Sequence, residues 1–300
     1  MKSTENVNLE KTQTRSVKGI ITSIATREGA GFAVRRPFPT QSLSFVDPFL
    51  LLDHMEPVML APGAARGAPD HPHRGFETVT YMLEGHFVHK DSAGNSGTIG
   101  PGDVQWMTAG KGVVHSEMPD DDLLDNGGRL HGFQIWVNLP AKDKMIAPRY
   151  QDIPSAKIPI AESEDGKVWV KVVAGQSMGK EAVIDTRTPI TFLHVKLQPG
   201  ASLNQPIPHQ YNTFAYVVEG KGYFGQEKLP AERDQLVLFG AGGDNVFLQA
   251  SDYEEVSVLL LGGLPLGEPV ARYGPFVMNT QNEIFQALKD YQEGAMGVIS

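Results

Sequence analysis

Two short pairs of polar residues place the strongest constraint on how this chain can fold. His71 and His73 are separated by one proline, and His115 and Glu117 by one serine. Side chains two residues apart in an extended strand point to the same side. Two such strands facing each other inside a β-barrel would bring three imidazoles and a carboxylate to one point. A lone His-x-His in a proline-rich loop is more often a pair of surface histidines, but the second pair favours a divalent metal site.

Glu77 is a second candidate for the carboxylate ligand. It follows His73 by four residues, so on an uninterrupted strand it would share the face of His71 and His73. Strand parity therefore leaves both Glu77 and Glu117 open as the fourth ligand.

Length and composition favour a mostly-β protein of two domains. The 300 residues suit two domains of moderate size, each with its own core. The 32 Gly and 21 Pro favour many short strands over a helical bundle. Prolines among charged residues at 139–159 predict an interdomain linker. We therefore expect an N-terminal metal-binding barrel at residues 16–147 and a C-terminal barrel without metal ligands at residues 148–300.

The apolar pattern predicts where several strands lie. Single strands are expected at residues 17–26, 45–55 and 129–137, and strand pairs at 76–90 and 97–107, turned at Glu84-Gly85 and Pro101-Gly102. Within 129–137 the alternation puts Gln134 and Trp136 on one face and Phe133 and Ile135 on the other.

Other segments carry simpler expectations. Residues 1–15 are polar and predict a disordered tail, and Asp120-Asp121-Asp122 predicts a solvated turn. His54 lies in an apolar run and is expected to be a hydrogen-bonded core residue. Thr280 and Glu283 have capping-box spacing and predict a short C-terminal helix, whose apolar stripe would comprise Ile284, Phe285, Leu288 and Tyr291.

The second half of the chain weakly repeats the first. Aligned without gaps, Thr78, Tyr81, Glu84 and Gly85 meet the identical Thr213, Tyr216, Glu219 and Gly220. The ligand candidates are not repeated, because His71, His73 and Glu77 meet Pro206, Pro208 and Asn212. Proline has no ligand atom in its side chain, so we expect one metal ion per chain, in the N-terminal barrel.

Charge and cysteine content narrow the function classes. A net charge of -9 without a long basic run argues against direct nucleic-acid binding. The absence of cysteine excludes disulfides, thiolate ligands and a cysteine nucleophile. Residues 1–15 lack the apolar core of a secretory signal, and no stretch has the length of a membrane span. We expect a soluble cytoplasmic monomer, with the nucleus also open if the source is eukaryotic.

The chain resembles the pirin family, which are bicupins of the cupin superfamily. The match rests on residues 45–49, 71–79, 101–110 and 115–119, and on Gly267-Glu268-Pro269-Val270 and residues 274–279 near the C-terminus. The resemblance implies an all-β fold of two tandem cupin β-barrels with a short C-terminal helix. It also implies the metal ligands His71, His73, His115 and Glu117. The general cupin pattern would instead use Glu77, which the resemblance leaves as a hydrogen-bonding neighbour of the site.

The resemblance implies two kinds of function. One is quercetin 2,3-dioxygenase activity on a polyphenol with O2, in which Glu117 would be both ligand and base. The ligands suit Fe(II) best, with Mn, Ni, Co or Cu also accommodated. Phe45, Trp106, Met82 and Phe133 could line an apolar slot for the substrate. The other is a non-enzymatic, metal-bearing regulator that binds a transcription factor or a metabolic enzyme, for which Arg35, Arg36 and Arg74 could form a charged patch.

Overall fold

The computed structural model describes residues 13–299, which form two β-barrels. The N-terminal barrel contains β2 (Ile24–Glu28), β3 (Phe32–Phe38), β4 (Phe49–Leu60), β5 (Ala68–His73), β6 (Phe76–Glu84), β7 (Phe87–Asp91), β8 (Ser96–Ile99), β9 (Val104–Thr108), β10 (Val113–Pro119), β11 (Gly128–Asn138) and β12 (Arg149–Ile153). The C-terminal barrel contains β1 (Val17–Thr22), β13 (Ile160–Glu162), β14 (Val168–Ala174), β17 (Ile190–Leu197), β18 (Ser202–Pro206), β19 (Asn212–Glu219), β20 (Lys221–Phe224), β21 (Leu229–Glu232), β22 (Gln235–Phe239), β23 (Asn245–Ala250) and β24 (Val256–Gly263).

A few short elements lie outside the barrel sheets. They are the ribbons β15 (Gln176–Ser177) with β16 (Lys180–Glu181) and β25 (Ala271–Tyr273) with β26 (Phe276–Met278), the helices α1 (Asp121–Asn126) and α2 (Gln281–Gln292), and 3-10 turns at Ala141–Asp143 and Ser155–Lys157. The predicted all-β fold of two tandem barrels with a short C-terminal helix is confirmed.

Each barrel consists of a seven-stranded and a four-stranded sheet. The N-terminal sheets have the orders β12-β9-β6-β11-β4-β3-β2 and β5-β10-β7-β8, and the C-terminal sheets β1-β22-β19-β24-β17-β14-β13 and β18-β23-β20-β21. The strands expected on either side of Glu84-Gly85 and of Pro101-Gly102 are present, but they are not paired as hairpins. In both places the chain crosses from one sheet of the barrel to the other, so these turns form barrel corners.

The two barrels exchange strands, which corrects the expected boundary between residues 147 and 148. Strand β1 pairs with β22 of the C-terminal barrel, and β12 pairs with β9 of the N-terminal barrel. The segment 139–159 is therefore not a plain linker. The chain after β24 returns to the N-terminal barrel, where Met278, Ile284 and Ala287 pack on Val114.

The seven-stranded sheets face each other across a shared core. Val79, Trp106 and Phe133 of the N-terminal barrel belong to the same buried cluster as Phe192, Phe214 and Leu259 of the C-terminal barrel. The repeated tyrosines bridge the interface reciprocally. The Tyr81 hydroxyl lies 2.8 Å from Nδ1 of His194, and the Tyr216 hydroxyl lies 3.0 Å from Nδ1 of His54. His54 is thus a hydrogen-bonded core residue, as predicted.

The buried interface histidines predict a loss of stability in acid. Burial, as the largest cause, lowers the pKa of His131 and of His194 to about 3. The unfolded chain takes up these protons below pH about 6.5 while the folded protein does not, so stability is fully present above 6.5 and falls as the pH drops toward 3. Each such histidine contributes a slope of about 1.4 kcal/mol per pH unit in this window.

The test is urea unfolding of the metal-free protein at several pH values within that window, compared with His194→Gln. Glutamine retains polar atoms for Tyr81 and Ser257, the two partners of His194. The variant should therefore show a shallower decline of unfolding free energy with falling pH. Equal slopes for both proteins would contradict the assignment.

The remaining predictions have mixed outcomes. Residues 120–122 do not form a simple turn, because Asp120 caps α1 by accepting from the Leu123 amide at 2.9 Å. The capping box at Thr280 is confirmed. The predicted helix stripe is wrong at Phe285 and Tyr291, which are 65% and 40% exposed, and Ala287 is buried instead.

The predicted N-terminal tail falls mostly on residues 1–12, which lie outside the described residues. The prediction does not extend to Arg15, because this side chain is buried and donates to backbone carbonyls of the C-terminal barrel. Within residues 13–299, no helix has both the length and the apolar character needed to cross a membrane.

Candidate metal centre

Two neighbouring strands bring the predicted histidines together. Strand β5 carries His71 and His73, and β10 pairs with it antiparallel so that His115 stands opposite His71. Directly opposed residues of an antiparallel pair point to the same face. The register shifts between His115 and Glu117, which places Glu117 opposite Ala68 near the start of β5.

The three imidazoles converge inside the N-terminal barrel. The Nε2 atoms of His71 and His73 lie 3.0 Å apart, and the His115 ring centroid lies 4.4 Å from that of His71 and 4.9 Å from that of His73. One ring nitrogen from each histidine lies within 4.8 Å of the others. His73 and His115 are buried, and His71 is half-buried at the wall of a cavity.

The surroundings keep His73 and His115 neutral and leave ring nitrogens of the three histidines available to a ligand. Burial is the largest cause that holds the pKa of His73 and of His115 well below its usual value, and the neighbouring imidazoles lower both further. The carbonyl of Pro69, 2.7 Å from Nδ1 of His71, holds the proton on Nδ1 and leaves Nε2 free. Both ring nitrogens of His115 are buried without a hydrogen-bond partner. Buried polar atoms normally have partners, so this donor set fits a divalent transition metal.

Glu117 lies at the same cavity, and one of its two carboxylate oxygens accepts a hydrogen bond from the protein. It is 7% exposed and lines the cavity with His71 and His73. The hydroxyl of Thr80 donates to Oε1 of Glu117 at 2.7 Å, and the same hydroxyl lies 2.7 Å from the Gln134 amide. A hydroxyl has a single proton, so Gln134 must turn its NH2 group toward Thr80. Oε2 of Glu117 is thereby left for a metal ion or a substrate proton.

Glu77 does not share the face of the histidines, which corrects the expectation from strand parity. The chain is interrupted between β5 and β6, where Gly75 has φ +86. This break resets the alternation, and Glu77 is buried where Thr108 donates to it at 2.6 Å. Burial is the main cause that raises the pKa of Glu77. The structure therefore separates the two carboxylates that the sequence left open.

The cavity beside the histidines has a volume of about 540 Å³, a size typical of small-molecule sites. Its apolar walls are Phe32, Leu51, Met55, Phe87 and Trp136. The four residues suggested for this slot do not line it. Trp106, Met82 and Phe133 are buried in the hydrophobic clusters, and Phe45 is 39% exposed. Thr80 was not predicted from the sequence as a site residue. Its position opposite Gln134 in the β6–β11 pair is the signal that could have identified it.

The C-terminal segment closes one side of the cavity. Arg272, Gly274 and Pro275 line it. Lys144 connects this segment to the turn between β5 and β6. It donates to the Gly75 carbonyl at 2.7 Å and to the Val277 carbonyl at 3.1 Å. A side chain at position 75 would clash, because its Cβ would lie 2.0 Å from the Val277 carbonyl oxygen.

The arginines suggested for a charged patch are instead neutralised by acids. Arg36 binds Asp53 at 2.6 and 2.7 Å and also contacts Glu28. Arg35 binds Glu56 at 2.9 Å. Arg74 is buried and binds Asp290 of α2 at 2.7 Å, so the three side chains do not form a free basic surface.

Comparisons with known proteins agree along most of the chain. The model of the Pirin family matches residues 31–137, and that of the Pirin C-terminal cupin domain matches residues 192–297. The chain is 48% identical to the Pirin-like protein of Solanum lycopersicum, over 91% of this chain and 90% of the relative. It is 42% identical to the Pirin of Homo sapiens, over 94% of this chain and 95% of the relative.

A solved structure extends this agreement to three dimensions. The crystal structure of quercetin 2,3-dioxygenase from Acinetobacter baumannii superposes with a TM-score of 0.89 at 35% identity, covering 96% of this chain and 100% of that chain. The two barrels described above are therefore cupin domains. With both family models matched and relatives this similar spanning most of its length, the chain belongs to the pirin family.

Proposed function

We propose that this protein is a metal-dependent dioxygenase that opens flavonols of the quercetin type. The observation that carries the proposal is a cluster of three imidazoles, two of which line a largely apolar cavity of small-molecule size together with one carboxylate. The Acinetobacter baumannii protein, which is similar over the whole chain, is a quercetin 2,3-dioxygenase and supports the same reaction class.

The metal would be held by His71, His73, His115 and Glu117, one ion per chain. When bound, a divalent ion such as Fe(II) would polarise a substrate oxygen and supply the redox chemistry for O2. Mn, Ni, Co or Cu would suit the same ligands. Imidazole binds a metal ion in its neutral form, so Glu117 would be the one negative ligand.

The chain's own residues would prepare the substrate. A flavonol must lose the proton of its 3-hydroxyl, and Glu117 is the base at the cavity wall, with Oε2 free of the Thr80 contact. Thr80 and Gln134 fix the carboxylate in place, which keeps the acceptor oriented. Phe32, Leu51 and Trp136 would bind the flat aromatic rings and exclude water from the reacting oxygens.

The competing hypothesis, a non-enzymatic regulator binding a transcription factor or a metabolic enzyme, gains no support from the suggested patch. Arg35, Arg36 and Arg74 each bind an acid of the same chain. The cavity is in addition a feature that a small substrate requires and a protein partner does not.

Oxygen uptake tests the proposal. The metal-loaded protein should consume O2 with quercetin and release carbon monoxide, while the metal-stripped protein should do neither until metal is restored. Luteolin, which differs from quercetin by lacking the 3-hydroxyl, is the matched control and should not be consumed. If none of the five metals gives uptake above the stripped protein, the dioxygenase assignment fails and the regulatory hypothesis takes its place.

A further inference from the structure

Arg272 is a cation at the cavity that has no direct ion-pair partner among the described residues. It lies in β25 and is the one Arg or Lys among the described residues that line the cavity. Its guanidinium carbon lies 4.6 Å from the ring centroid of Trp136. Within residues 13–299, no carboxylate lies within ion-pair distance of Arg272, and no hydrogen-bond acceptor meets its donors.

The acids nearest to Arg272 already have another partner. Glu28 and Asp53 line the cavity, and both bind Arg36. Asp53 takes two contacts from that guanidinium, at 2.6 and 2.7 Å. Arg272 is exposed, so its five N–H donors are open to solvent and to a ligand that enters the cavity.

Trp136 connects Arg272 to the histidine cluster along the cavity wall. The Trp136 ring lies 5.3 Å from that of His73, between centroids, with Arg272 on the same indole. The guanidinium and the candidate ligand His73 therefore contact the same indole ring. A planar substrate with its reacting oxygens at the metal would bring its remote ring to Arg272.

We propose that Arg272 selects aromatic substrates whose ring remote from the metal carries an acidic oxygen group, such as a carboxylate, a sulfonate or an ionised phenol. The inference rests on the proposed function, because it places the reacting oxygens at the metal. A guanidinium presents a rigid fork of donors that matches a two-oxygen anion, and a charge-assisted contact of this kind is stronger than a neutral hydrogen bond.

The test is calorimetric binding of two ligands to the metal-loaded protein without O2, so that the measurement does not depend on turnover. The ligands are quercetin and its 5'-sulfonate, and the proteins are the wild type, Arg272→Gln, Arg272→Lys and the control Arg129→Gln. Arg129 is exposed and binds Glu84 on the surface. In wild type the sulfonate should bind more tightly than quercetin.

Arg272→Gln should weaken sulfonate binding about tenfold or more and quercetin binding far less. Arg272→Lys should keep part of the preference, and Arg129→Gln should keep all of it. Equal losses for both ligands in Arg272→Gln, an unchanged sulfonate affinity, or a wild type without preference would each overturn the inference. A preference for the sulfonate without any O2 uptake would leave Arg272 assigned and refute the dioxygenase. Turnover of quercetin by a protein without preference for the sulfonate would refute the role of Arg272 and leave the dioxygenase assignment standing.

Discussion

The His73→Ala variant should lose bound metal while the protein stays folded. The substitution removes one of the four proposed ligands, so a metal ion would keep at most three. Outer-shell changes already cost about ten- to a hundredfold in metal affinity, so removal of a ligand should exceed roughly a hundredfold. His71→Ala and His115→Ala should behave alike. Metal content after dialysis, measured by mass spectrometry, provides the readout.

His209→Ala is the matched control for this loss. His209 lies in the C-terminal half, its side chain is 73% exposed, and it contacts Asp244 at 3.4 Å on the surface. This variant should retain one metal ion per chain. If the His73→Ala protein still held stoichiometric metal, the proposed ligand set would be refuted.

Glu117→Gln should abolish ring opening, whereas Glu77→Gln should not. Glutamine at 117 can still accept from Thr80, so the shape of the site is kept. The substitution removes the negative ligand and the proton acceptor together, and loss of a general base lowers turnover by about a hundred- to ten-thousandfold. Metal affinity should fall as well, because the remaining ligands are neutral.

Glu77→Gln is the control that the structure itself supplies. Glu77 lies on the other face of its strand, and glutamine can keep the contact with Thr108. Metal should be retained, and the rate should stay measurable, within about a hundredfold of wild type. Metal content and quercetin turnover are compared at equal metal loading. A metal-free, inactive Glu77→Gln beside an active Glu117→Gln would reassign the ligands to His71, His73, Glu77 and His115.

The pairing of histidines was accessible from the sequence because parity along one short strand is a local property. His71 and His73 needed only an extended backbone between them to share a face. The same counting failed at Glu77 because it assumes an unbroken strand. Gly75, with its positive φ, is the residue that interrupts the alternation, and glycine in a sequence does not by itself specify a break.

The domain boundary and the cavity walls depend on contacts between distant parts of the chain. The residue pattern of β1 and of β12 predicts a strand in each case. It does not predict which sheet the strand joins. In β11 the face with Gln134 and Trp136 is half-buried beside the cavity, and the face with Phe133 and Ile135 is buried against the second barrel. Alternation alone could not decide whether Phe133 or Trp136 faced the substrate, because apolar residues occur on both sides.

The return of the C-terminal segment to the first barrel sets the order of events during synthesis. Pro275 and His71 line the same cavity, and about two hundred residues separate them in the chain. At about 5–20 residues per second, the ribosome adds that interval in roughly 10 to 40 seconds. During this time the cavity beside the three histidines lacks the side that the C-terminal segment forms. Metal that arrives before residues 272–275 have been made meets a site without this wall, which these residues then complete.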